Sequence, residues 1–302
     1  MSNTKVLPFS DEAIVEAARL ILAGEPVAVP TETVYGLAAD ATDADAVARI
    51  YQAKGRPSFN PLIIHVSDLR EAERIGQFGN EARVLAKLHW PGPLTLVVPL
   101  RKDTGIASIA TAGLSSVGLR VPKHPVMQAL LGAVGRPLAA PSANASGSIS
   151  PTRANHVLKS LRGRIRLIID GGATERGLES TIIAATDGEL RLLRHGPIQI
   201  DAREAPGGKI EAPGQLASHY APAKPLRLNV LTPENDEYFI GFGSISGTAN
   251  LSASGDLVEA ASRLFDLLHE ADASREPRIA VAPVPGEGLG AAINDRLRRA
   301  AA

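Results

Sequence analysis

Hydroxyl groups and fixed positive charges are concentrated in residues 30–65. In order, the segments that carry them are PTETVYGL, KGRP and NPLIIH, beginning at residues 30, 54 and 60. Hydroxyl donors beside rigidly placed cations, here Lys54 and Arg56, are suited to binding a carboxylate or a polyphosphate. The stretch therefore predicts an enzyme that binds a nucleotide without a standard phosphate loop.

Lys54 and Arg56 have a simpler interpretation as caps of the preceding helix, because cations complement the C-terminal end of a helix dipole. The turn that follows, with Pro57, Asn60 and Pro61, is more rigid than a cap requires and leads directly into an apolar strand. Such a turn is a better scaffold for aiming cations at a phosphate. We therefore predict that both cations are catalytic.

Other polar residues lie where predicted strands end. Arg120 closes an apolar strand, so it needs an anion or a carboxylate partner if it points inward and none if it faces solvent. The loop PSANASG, from Pro141, offers backbone N–H groups and hydroxyls for an anion, although an ordinary turn has the same composition. Ser150 is expected to cap a helix whose N-terminus faces the same region.

Composition limits the possible function classes. The 32 basic and 32 acidic residues cancel, which argues against a general electrostatic affinity for nucleic acid or membrane. The lack of cysteine excludes disulfides, thiolate catalysis and zinc sites with cysteine ligands. With no signal peptide and no apolar run of ~18 residues, we expect a cytoplasmic protein. The sequence lacks a Walker motif and a clustered ligand set for a protein-held metal.

Alternating strand and helix patterns predict a mixed α/β sheet, with a hairpin at Asp187-Gly188. The predicted strands are 27–30, 62–66, 94–100, 117–121, 138–140, 167–169, 181–185 and 190–194, and the helices between them include 80–89, 125–134 and 152–161. The composition changes after Gly196, since residues 197–225 contain five prolines. We therefore predict a catalytic domain (1–196), a linker or lid (197–225) and a small α/β domain (226–302).

The motifs in order resemble the L-threonylcarbamoyladenylate synthases of the two-domain Sua5 type, within the Sua5/YciO/YrdC superfamily. The matching segments are PTETVYGL, KGRP, NPLIIHV, LRVPKHP, PSANASG, SPT, LESTII, LRHG and HYAP. The resemblance implies a twisted open mixed sheet with helices, the YrdC-like catalytic domain, which contains a deep positive cavity. It also implies a small Rossmann-like α/β C-terminal domain.

The activity that this resemblance implies is the condensation of L-threonine, bicarbonate or CO2, and ATP into threonylcarbamoyl-AMP with release of pyrophosphate. Mg2+ would arrive with ATP, and no organic cofactor is implied. The product would pass to the tRNA threonylcarbamoyl transferase machinery, which modifies adenosine 37, while direct tRNA binding by this chain would be weak or absent.

The resemblance also assigns site residues. Its threonine-binding positions correspond to Thr33, His65, Arg120 and Ser180. Its ATP-binding positions correspond to Arg56, Asn60, Ser116, Ala140, Ser142, Ser150, Arg194 and Tyr220, with Lys54 beside the phosphates. Arg120 is suited to the threonine carboxylate, and Tyr220 is expected to fold over the occupied site.

Two other functions remain as alternatives. One is a carbamoyl-adenylate-forming module like that of the hydrogenase-maturation carbamoyltransferases, but those are much longer chains with zinc-finger-like cysteines. The other is a superfamily member that binds double-stranded RNA and lacks this activity. The zero net charge and the complete threonine-binding set both argue against it.

Overall fold

The computed structural model describes residues 3–186, 188–205, 211–214 and 219–302. Within them the helices are α1 (Asp11–Leu22), α2 (Ala44–Lys54), α3 (Leu69–Ile75), α4 (Asn80–His89), α5 (Pro125–Val134), α6 (Ala154–Leu161), α7 (Leu257–Ala273) and α8 (Leu289–Ala300). The strands of the larger sheet are β1 (Lys5–Pro8), β2 (Val27–Pro30), β3 (Tyr35–Asp40), β4 (Ile63–His65), β5 (Leu94–Pro99), β6 (Ser116–Arg120), β7 (Leu138–Ala139), β8 (Leu167–Asp170), β9 (Thr181–Ala184), β10 (Arg191–Arg194) and β11 (Arg203–Glu204). Those of the smaller sheet are β12 (Leu226–Arg227), β13 (Glu237–Gly241), β14 (Ala249–Asn250) and β15 (Arg278–Val281).

The larger sheet is mixed, with the order β1-β8-β2-β3-β7-β4-β6-β5-β9-β10-β11. Strands β4 and β6 are parallel neighbours, and their register places His65 opposite Arg120. The smaller sheet, β12-β15-β13-β14, is parallel throughout. The predicted α/β class, with a mixed sheet and a small second α/β unit, is confirmed.

Several predicted elements match the structure closely. Helices α4 and α5 begin and end at the predicted residues. The predicted hairpin joins β9 and β10, which are antiparallel, although its Asp187 lies outside the described residues. Helix α2 is capped at its C-terminus by Gly55, whose left-handed backbone (φ 61°) turns the chain between the two predicted cations.

Four strands were missing from the sequence prediction: β1, β3, and the two-residue strands β11 and β14. Strand β1 pairs in parallel with β8, and β3 runs antiparallel to β2 with all six of its residues buried. PTETVYGL therefore forms a tight hairpin rather than a strand followed by an open loop. The Thr31 hydroxyl closes this turn by donating to the Val34 carbonyl at 2.7 Å. Side-chain closure of so short a turn is not visible in strand periodicity.

The small α/β unit packs directly against the larger one. Gly177 has a left-handed backbone (φ 67°), and a Cβ there would lie 2.4 Å from the Ala261 carbonyl oxygen of α7. Within the predicted linker, β11 pairs with β10, whereas Pro206-Gly207-Gly208 and Ser218 lie outside the described residues. Among the helices of the described residues, none is both long and apolar enough to cross a membrane.

Candidate active site

A cavity of about 50 Å³ lies where the central strands of the larger sheet end. Its lining includes Thr31, Thr33, Arg56, His65, Arg120, Ala140, Ser142, Glu179, Ser180, Arg194, Gly214, His219 and Tyr220. Among the described residues of this lining there are thus three arginines and one carboxylate. This excess of positive charge in a buried site favours an anionic ligand.

Arg120 points inward, and its partner is Glu32. The guanidinium donates to Glu32 Oε1 at 2.7 Å and to Thr33 Oγ1 at 3.0 Å, and both charged side chains are 4% exposed. Burial alone would raise the pKa of Glu32, but the charge and hydrogen bonds of Arg120 outweigh it and lower that pKa. An inward-pointing Arg120 needs such a partner, but the sequence alone did not identify Glu32 as the residue that supplies it.

His65 lies beside Arg120 on the neighbouring strand. Burial, followed by the charge of Arg120, lowers the pKa of His65 to about 3, so the imidazole is neutral at pH 7. Its Nδ1 is buried and has no hydrogen-bond partner among the described residues. A buried imidazole nitrogen without a partner is suited to a polar group of a ligand.

Ser180 and Arg194 are hydrogen-bonded to each other. Arg194 donates to both the carbonyl and the hydroxyl of Ser180, each at 3.0 Å, and the same hydroxyl lies 2.7 Å from Thr95 Oγ1. Burial lowers the pKa of Arg194, and the carbonyl and hydroxyl oxygens of Ser180 accept hydrogen bonds from its guanidinium. A residue predicted to bind threonine and one predicted to bind ATP are therefore in direct contact.

The two predicted catalytic cations have different positions. Arg56 lines the cavity and donates to the Asn60 and Pro61 carbonyls, and burial lowers its pKa to about 10. Lys54 is absent from that lining. Its ammonium donates to the carbonyls of Ser142 and Asn144, each at 2.5 Å. Lys54 thus supports the PSANASG loop.

The residues predicted for ATP divide into two groups. Those that line the cavity are Arg56, Ala140, Ser142, Arg194 and Tyr220. Asn60, Ser116 and Ser150 lie outside the described lining. Asn60 is buried and its Oδ1 has no described partner, whereas Ser150 Oγ donates to Glu179 Oε1 at 2.5 Å. Ser116 instead borders a separate small cavity beside Pro61.

The HYAP segment is docked against the rest of the protein. The Ala221 amide donates to the Gly147 carbonyl at 2.7 Å, and the His219 amide donates to the Arg299 carbonyl at 3.1 Å. Tyr220 is 1% exposed and packs its ring against Phe265 of α7, with centroids 5.6 Å apart. This segment therefore contacts both the PSANASG loop and the C-terminal unit.

Comparison with known proteins identifies the family. The profile described as "Telomere recombination" (Sua5_yciO_yrdC) matches residues 19–196, and that of the threonylcarbamoyl-AMP synthase C-terminal domain matches residues 177–302. The chain belongs to the threonylcarbamoyl-AMP synthase family. The predicted resemblance to the Sua5 type is thereby confirmed.

Similar proteins support the membership over almost the whole chain. The threonylcarbamoyl-AMP synthase of Bacillus subtilis is 39% identical, over 99% of this chain and 95% of that protein. The structure of Pyrococcus abyssi Sua5 in complex with L-threonine superposes with a TM-score of 0.90 at 37% identity, covering 99% and 98% of the two chains. Escherichia coli YciO superposes with a TM-score of 0.59 at 25% identity, over 67% of this chain and 98% of that one.

Proposed function

We propose that this member of the threonylcarbamoyl-AMP synthase family forms threonylcarbamoyl-AMP and pyrophosphate from L-threonine, ATP and bicarbonate or CO2. The observation that carries the proposal is a single buried cavity in which both predicted substrate sites meet. Thr33, His65, Arg120 and Ser180, the residues predicted to bind threonine, line it together with Arg56, Ala140, Ser142, Arg194 and Tyr220, which are predicted to bind ATP; we call these two sets of residues the threonine end and the nucleotide end. The curated relatives with this name favour it over an RNA-binding protein that lacks the activity.

In the proposed reaction, the neutral threonine amine attacks CO2 and loses a proton to give a carbamate. A carbamate oxygen then attacks the α-phosphorus of ATP, a new P–O bond forms, and the bond to the β-phosphate breaks as pyrophosphate leaves. Arg120 holds the threonine carboxylate, while Arg56 and Arg194 stabilise the charge on the phosphates. Mg2+ enters with ATP as part of that substrate.

We further propose that the product is passed to the machinery that attaches the threonylcarbamoyl group to tRNA. A mixed carbamic–phosphoric anhydride hydrolyses readily, so rapid transfer favours its use. Since the net charge is zero, direct binding of tRNA by this chain is expected to be weak or absent.

Pyrophosphate release is the direct test of this function. With the full chain, we expect release to require L-threonine, bicarbonate and ATP together, and mass spectrometry to detect threonylcarbamoyl-AMP. Reactions lacking one substrate at a time are the controls. Release that does not depend on threonine would contradict the proposal and favour the carbamoyl-adenylate alternative, whereas RNA binding without any release would favour the RNA-binding alternative.

We also propose that residues 197–225 act as a lid. With His219 and Tyr220 docked, the cavity of about 50 Å³ bordered by the described residues is far smaller than the ~300–1,000 Å³ typical of small-molecule sites. The HYAP segment must therefore withdraw to admit ATP and return to enclose the substrates. Closure would exclude water from the anhydride product.

Limited proteolysis tests the lid. We expect cleavage within 197–225 in the free chain and protection by a non-hydrolysable ATP analogue with threonine. Tyr220→Ala should weaken that protection and raise the hydrolysed fraction of the product several-fold, because the ring no longer covers the site. Tyr220→Phe, which keeps the ring, is the matched control. Equal cleavage with and without ligands, together with full activity of Tyr220→Ala, would reduce the segment to a passive connection.

A further inference from the structure

Arg296 of α8 belongs to the C-terminal unit but bonds to the larger one. Its side chain is 0% exposed, and its guanidinium donates to Glu179 Oε2 at 2.8 Å and to the His195 carbonyl at 2.9 Å. A second carboxylate, that of Asp295, accepts at 2.8 Å. Because a buried ion pair is seldom more stabilising than an apolar contact of the same size, stability alone does not explain an arginine here.

Glu179 connects Arg296 to the cavity and to Ser150. The carboxylate lines the cavity, and its other oxygen accepts from Ser150, a residue predicted to bind ATP. Burial alone would raise the pKa of Glu179, but the charges of Arg296 and Arg194 outweigh it and lower that pKa. Glu179 is therefore ionised and is held as an acceptor between Arg296 and the Ser150 hydroxyl.

Arg296 also contacts the HYAP segment. Its guanidinium carbon lies 5.3 Å from the centroid of the Tyr220 ring, a distance typical of a cation–π contact. One side chain thus contacts both Tyr220 and Glu179, the carboxylate that accepts from Ser150, and Tyr220 and Ser150 are both predicted to bind ATP. The threonine end is held by a different ion pair, between Arg120 and Glu32.

We propose that Arg296 is a positioning residue through which the C-terminal unit sets the nucleotide end of the active site. It holds Glu179, and through it Ser150, and it supports the ring of Tyr220. The identity of the nucleotide as ATP rests on the function proposed above. In this arrangement the contact that Arg296 makes from the C-terminal unit supports nucleotide affinity and leaves threonine affinity unchanged.

Separate calorimetric titrations of the full chain with a non-hydrolysable ATP analogue and with L-threonine test this inference. We expect Arg296→Met to weaken analogue binding at least tenfold and to change threonine binding less than twofold. The analogue affinity of Arg296→Lys, which keeps the charge but not the planar contacts, should lie between that of wild type and that of Arg296→Met. Arg298→Met is the matched control, since Arg298 is exposed on the same helix, and it should bind both ligands normally.

Arg296→Met leaves Glu179 buried without its main cation, so the variant can fail to fold. Arg296→Met combined with Glu179→Gln removes both charges and should fold while still binding the analogue weakly. In the full double-mutant cycle, the loss of analogue affinity should be smaller than the sum of the two single losses. Three results would each overturn the inference. They are an analogue affinity of Arg296→Met within twofold of wild type, an equal loss of affinity for the analogue and for threonine, and additive losses of analogue affinity in the cycle.

The same titrations separate this inference from the proposed function. If the wild-type chain binds the analogue but releases no pyrophosphate with threonine, the function fails and the affinities still decide the role of Arg296. If the wild-type chain binds no analogue, the proposed function and the inference fail together.

Discussion

Lys54→Met is expected to abolish pyrophosphate release and to lower the melting temperature by several degrees. Its ammonium donates to the carbonyls of Ser142 and Asn144, so the substitution leaves a part-buried and a buried acceptor without this donor. Each unsatisfied acceptor costs about 1–3 kcal/mol. The PSANASG loop, which borders the nucleotide end through Ser142, would lose its support.

Arg56→Ala is expected to abolish release as well, but with a much smaller change in melting temperature. Its guanidinium faces the cavity, where water can replace it at the Asn60 and Pro61 carbonyls. Thermal melts and the pyrophosphate assay measure the two effects on the same samples. Lys102→Met, at an exposed lysine, is the control. Normal turnover by Arg56→Ala with a large fall in melting temperature would support the simpler helix-capping interpretation.

Arg120→Ala is expected to weaken threonine binding by roughly 2–5 kcal/mol, about 30-fold or more, because a buried charge-assisted pair with the substrate carboxylate is lost. ATP-analogue binding should change far less. Calorimetric titration with each ligand gives both affinities. Unchanged threonine affinity in a folded Arg120→Ala variant would eliminate this role.

The pair with Glu32 requires a second variant, since Arg120→Ala also leaves the Glu32 carboxylate buried without its cation. Arg120→Met combined with Glu32→Gln removes both charges and should recover much of the lost stability. If threonine binding remains weak in this variant, Arg120 acts on the ligand itself. If threonine binding recovers together with stability, the loss in Arg120→Ala came from the stranded carboxylate.

Local signals were sufficient for much of the fold. Helix α5 begins with Pro125 and is followed by a left-handed Gly135, and its predicted bounds match. Strand β3 was missed because the hydroxyl of Thr31, rather than a glycine turn, reverses the chain before it. Strand β1 was missed because most of its residues are exposed and its pairing with β8 joins distant parts of the chain.

The site shows the same division. Motif order predicted Thr33, His65, Arg120, Ser180, Arg56 and Arg194, all of which line one cavity. Motif order did not reveal that Lys54 would bind loop carbonyls or that Ser150 would bind Glu179, because each depends on how a side chain is oriented in the fold. The roles of these residues toward the ligands remain predictions.

The sequence by itself determined the family, the α/β class and many of the residues that line the cavity, because these are encoded in short segments and their order. Only the tertiary structure decided the ion pairs that hold them. Glu32 and Arg120 are 88 residues apart, and Glu179 and Arg296 are 117 apart. Such pairs form only after sheet order and domain packing bring the segments together, and a lone buried charge requires a partner without specifying which residue supplies it.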